Sequence, residues 1–131
     1  MQSSRPIPLM GAAVVLAWLG VYIHNLADLP GLTLTSPENS LPGLIWLVLF
    51  LVWWRLPGRR WPTALLLGWG TVNLVGGFAT VLPLAILPFR PEQSLRHYAF
   101  HVLYAATQLW LLWLAWAALR RSQPGGSVQR S

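Results

Sequence analysis

Apolar residues in this chain fall into four long stretches, separated by short gaps that are polar or rich in proline. The stretches lie at about 7–27, 41–55, 61–82 and 92–120. None shows the strict alternation of a half-buried strand. Three of them reach the roughly 20 residues, or about 30 Å of helix, that a bilayer core demands. The pattern predicts an all-α membrane protein, a four-transmembrane-helix bundle. The second stretch is the short one, about 22 Å at the same rise, so it must thin the bilayer or borrow length from its flanks.

Turn chemistry punctuates the stretches. Ser40 ahead of Leu41-Pro42 reads as a hydroxyl cap with proline in the first turn, and Leu56-Pro57-Gly58 as a sharp stop. Pro62 opens the third helix, while Pro83, Pro88 and Pro91 break the chain after it. Residues 122–131 read as a disordered polar tail. The first apolar run is too long for a signal-peptide core and ends without a small-x-small cleavage site, so a retained anchor is expected.

Composition agrees with a bilayer setting. Hydrophobic residues make up 55% of the chain and charged ones 9%, with a mean hydropathy of +0.52; a soluble domain carries roughly a quarter charged residues. A length of 131 residues leaves room for one domain. The absence of cysteine excludes disulfides, thiolate metal sites and thiol catalysis.

Charge then sets an orientation. All nine basic residues are arginines, a bias that points to a GC-rich bacterial source. Arg5, Arg55, Arg59, Arg60, Arg120, Arg121 and Arg130 fall on one side of the four spans. Arg90 and Arg96 fall on the other, with Asp28, Glu38 and Glu92. Cytoplasmic segments accumulate arginine, so both termini are expected inside, in a bacterial cytoplasmic (inner) membrane. The net charge of +6 and pI near 11.5 follow from that bias, with anionic headgroups as counter-charge. No basic stripe with exposed aromatics exists, so nucleic acid is not an expected partner.

Polar residues inside the spans are the candidates for chemistry, because lipid penalises them unless they are paired. The fourth helix carries His97, His101, Tyr104 and Gln108, spaced to lie within about 60° on a helix of 3.6 residues per turn. The first helix carries Ala13, Ala17, Gly20 and His24 at the same spacing, a small-residue seam for close packing. Gly70, Asn73, Gly77 and Thr80 mark a third inward face. Asn73 and Gln108 reach similar depths, roughly 16–18 Å from their inner ends. They are expected to bond each other near the midplane.

At the outer end His24, Asn25 and Asp28 oppose Glu92, Arg96, His97 and His101. Antiparallel packing of helices one and four would gather His24, Asp28, His97 and His101 above Tyr104. Three imidazoles and a carboxylate suit a divalent metal, a haem iron or a proton relay. The plainer expectation is interfacial anchoring and packing.

Residues 69–78 resemble a segment of the small four-helix fluoride channels, but in a different helix and without the threonine- and phenylalanine-rich break. Small multidrug transporters match in size but need a carboxylate in the middle of helix one, where this chain has none. No catalytic signature is present. The leading expectation is a small non-enzymatic integral membrane protein without a cofactor. It would serve as an accessory, assembly or scaffold subunit, with the lipid bilayer and a homo-oligomer or larger membrane complex as partners. The rivals are a haem-, metal- or quinone-binding module at the outer histidine pocket and an oligomeric small-solute channel or transporter.

Overall fold

The computed structural model describes residues 7–57, 59–87 and 90–121, so the expected tail at 122–131, Arg5 and Pro88 lie outside the described residues. Four helices form: α1 (Ile7–Asp28), α2 (Pro37–Arg55), α3 (Trp61–Val81) and α4 (Leu95–Arg121). α1, α3 and α4 are each long and apolar enough to cross a membrane, which is compatible with a multi-pass membrane protein. α2 is diluted by its polar first turn, Pro37-Glu38-Asn39-Ser40.

Each helix packs on two others, α1 on α2, α2 on α3, α3 on α4, and α4 back on α1. All four pairings are antiparallel. Gly11 faces Phe50 while Gly43 faces Trp18, and Gly20 faces Thr107 while Ala17 faces Gln108. Trp46 meets Trp69 while Trp53 meets Thr63, and Gly70 lies against Leu111 while Gly77 lies against Tyr104. The small-residue seam of Ala13, Ala17 and Gly20 is buried as expected. A Cβ at Gly20 would collide with Thr107 Oγ1, so glycine there sets how closely α1 and α4 approach.

α2 begins earlier than its expected start at Leu41. Ser36 precedes the helix, Pro37 takes its first turn, and Pro42 falls inside it. Proline has no amide hydrogen, so Pro42 leaves the Glu38 carbonyl without its usual partner. Asn25 of α1 supplies the missing donor: its Nδ2 lies 3.1 Å from Glu38 O and 2.9 Å from Asn39 Oδ1. Asn39, fully buried at 0% exposure, donates to Thr33 O at 2.8 Å, and Trp18 Nε1 donates to Asn39 O at 3.0 Å. A polar lock thus joins α1 to α2. α4 begins later than expected, at Leu95, because Ser94 Oγ accepts the His97 N–H at 3.2 Å and caps the first turn. Glu92 therefore precedes the helix.

The opposite end of the bundle is apolar. Trp46, Trp53, Leu66, Leu111 and Leu114 form its core, together with Met10 and Ala13. Trp53 Nε1 donates to Thr63 Oγ1 at 3.1 Å inside it. At the rim, the guanidinium groups of Arg55 and Arg120 lie 5.5 Å and 4.7 Å from the ring centroids of Trp54 and Trp116, within cation–π range.

Candidate metal centre

Spacing and packing together build the site. His24 and Asp28 are four residues apart on α1, and His97 and His101 four apart on α4, so each pair projects from one helix face. The close seam beneath them turns the two faces toward each other. Asp28 Oδ2 lies 2.7 Å from His97 Nδ1, 3.2 Å from His24 Nδ1 and 4.0 Å from His101 Nε2. These are ion-pair distances, and none of the three is aligned as a hydrogen bond. All four atoms are buried and without a hydrogen-bond partner. His97 Nε2 is a fifth, and each such atom costs on the order of 1–3 kcal/mol, so the group calls for an explanation.

The rings crowd accordingly. His24 and His101 meet edge to face with centroids 4.2 Å apart, and His97 and His101 with centroids 4.4 Å apart. Tyr104 lies beneath, stacked on His24 at 5.7 Å. Its hydroxyl donates to the Asn73 carbonyl of α3 at 2.6 Å. Arg96 Nη2 donates to Ala27 O at 3.0 Å and so closes the end of α1. One ligand atom each from His24, Asp28 and His101 lies within 4.8 Å of the others. With ion–ligand bonds of about 2.0–2.2 Å, two ligands of one ion stand at most about 4.4 Å apart, so the set is near that spacing and would have to draw together slightly to hold one ion.

A cleft of about 710 Å³ adjoins these residues, within the usual range of small-molecule sites, about 300–1,000 Å³. α1, α4 and α3 form three of its walls. Arg90 and Glu92 stand at the polar rim, and Val21, Trp69, Val72 and Gly76 line the deeper part. No α2 residue lines it, and Val72 is 60% exposed, so the cleft is open to the outside at Val72.

The expected cluster of His24, Asp28, His97, His101 and Tyr104 is therefore assembled. The expected bond between Asn73 and Gln108 is not. Asn73 Nδ2 donates to Trp69 O in its own helix at 2.8 Å, and Gln108 Nε2 donates to Ala17 O on α1 at 2.9 Å. Equal depth did not mean a shared face: Gln108 turns to α1, and Gly77 lets Tyr104 reach α3 instead. The Asn25–Asn39–Trp18 lock was not anticipated, because Asn39 read as a loop residue. Trp69 on the cleft wall was also missed, although a tryptophan in mid-span rather than at its end was a usable signal. No known protein family, curated protein or solved structure matches the chain.

Proposed function

We propose that this chain is a four-pass protein of the bacterial inner membrane, with both termini cytoplasmic, that binds one divalent transition-metal ion at the outer end of its helices. The observation that carries this reading is the surrounding of Asp28 Oδ2 by three imidazole nitrogens at 2.7, 3.2 and 4.0 Å without a hydrogen bond among them. Buried polar atoms without hydrogen-bond partners are costly, and a cation would take up the lone pairs that His24, Asp28 and His101 offer. Nitrogen-rich sets suit Zn²⁺ and its first-row neighbours, whereas Ca²⁺ and Mg²⁺ require oxygen. Haem fits poorly, since imidazoles with centroids 4.2 Å apart leave no space for a macrocycle between them.

His24, Asp28 and His101 serve as the three protein ligands, and a fourth tetrahedral position is left for an exchangeable one. His97 stands against the carboxylate and keeps it turned inward. A bound ion of this kind supplies a Lewis acid and an anchoring point for an oxygen donor. The four-pass topology is supported by the arginine split and by α2, whose 19 residues give about 28 Å of helix once its first turn is included.

The test is metal content after equilibration with Zn²⁺ and desalting in a non-ionic detergent. We expect stoichiometric zinc in the wild type and none in the combined His24→Ala, Asp28→Ala, His101→Ala variant. His97→Ala should weaken zinc affinity about 10–100-fold. A wild type without stoichiometric zinc, or a triple variant that keeps it, returns the chain to the accessory or assembly role. Cysteines introduced at Ser3 and Ser127 should label from the cytoplasm and one at Ser36 from outside; the reverse pattern overturns the orientation.

A further inference from the structure

The cleft beside the histidines has two chemically different parts. One end is the proposed ligand set with Arg90 and Glu92 at its rim, and the rest is walled by Val21, Val72, Gly76 and the Trp69 indole. Gly76 is exposed on the apolar wall, and a Cβ there meets nothing within 4 Å. Its open side exposes Val72 of α3, a helix apolar enough to cross a membrane. An occupant can therefore arrive from hydrocarbon and keep an apolar portion there while its other end reaches the histidines.

Charge selects that other end. A divalent ion held by neutral imidazoles and the single carboxylate of Asp28 retains one formal positive charge, and Arg90 and Glu92 cancel each other at the rim. Uncompensated charge at membrane depth is unfavourable, so the open coordination position favours an anionic oxygen over a neutral donor.

We propose, resting on the metal reading above, that the cleft binds a bilayer amphiphile with an anionic oxygen head, a fatty acid or an anionic phospholipid. The head oxygen takes the metal's open position, and the acyl chain runs over Gly76 and Val72 toward lipid. The binding is one of coordination and burial, with no covalent step.

Native mass spectrometry of the zinc-loaded full chain in non-ionic detergent tests it, with palmitate, phosphatidylglycerol and the neutral lipid monoolein as probes. One adduct per chain is expected with palmitate or with phosphatidylglycerol, and none with monoolein; the two anionic arms separate a single-chain carboxylate from a phospholipid. A Cβ at Gly76 meets nothing within 4 Å and Phe replaces a helix-disfavouring glycine, so Gly76→Phe should fold and keep its zinc. It should also weaken the adduct about tenfold or more, as should removal of zinc with EDTA. An adduct that survives Gly76→Phe or EDTA, a monoolein adduct of equal strength, or a zinc-loaded wild type with no adduct overturns this proposal and leaves the metal site standing. A wild type that takes up no zinc removes both.

Discussion

The two ends of this bundle use the same four helices in opposite ways. From mid-span to the arginine-rich end, Trp46, Trp53, Leu66 and Leu111 are buried at 2% exposure or less, and Trp53 Nε1 has Thr63 as its partner. Trp46 sets its edge against the Trp69 ring at 6.3 Å, its Nε1 without a hydrogen bond. At the histidine end, the same α1–α4 seam carries five buried side-chain atoms with no hydrogen-bond partner, beside a cleft of about 710 Å³. The helices, their antiparallel pairing and their small-residue contacts are shared, so the fold does not demand the difference. One end is filled by volume. The other gives up packing and hydrogen bonds to gather ligands. Stability and chemistry are thereby separated along the helix axes.

That contrast can be broken at its strong end first. Trp46→Ala should open a cavity in the apolar end and lower stability by about 3–5 kcal/mol in an SDS-unfolding series. A mild effect would show that this end is not the anchor of the fold. Gly20→Leu, on the seam both ends share, should cost about 1–3 kcal/mol through its clash with Thr107. Leu16→Ala, at a site 39% exposed, should do much less. Equal losses would mean that α1 and α4 do not meet through the small-residue face. The smallest loss is expected at the histidine end, where His101→Leu removes a buried nitrogen without a hydrogen-bond partner. It should leave the fold as stable or more so, by up to about 1 kcal/mol, while abolishing zinc binding. If His101→Leu unfolds the protein as Trp46→Ala does, the histidines are ordinary core and the contrast disappears.

Much of this arrangement was legible in the residues. Apolar length marked α1, α3 and α4, and identical spacing on helices one and four implied that His24 and His101 would meet once those helices ran antiparallel. Asp28 was a natural partner because it lies one turn beyond His24. The start of α2 was not legible. Pro42 looks like a first-turn proline until Asn25, on another helix, is seen to supply the donor that makes an internal proline tolerable. The Asn73–Gln108 expectation failed for a related reason. Depth along a helix can be counted from sequence, but the rotation that turns Gln108 to Ala17 depends on packing that no single helix encodes.

The Pro42–Asn25 contact has a consequence for how the chain enters the bilayer. In the four-pass topology proposed above, α2 meets the hydrocarbon boundary with a carbonyl at Glu38 that its own backbone leaves bare. The donor that covers it resides on the segment synthesised just before. In that topology, α1 and α2 keep this bond if they enter the bilayer together as a helical hairpin. An internal proline thereby ties the pairing of one helix to a side chain on its neighbour.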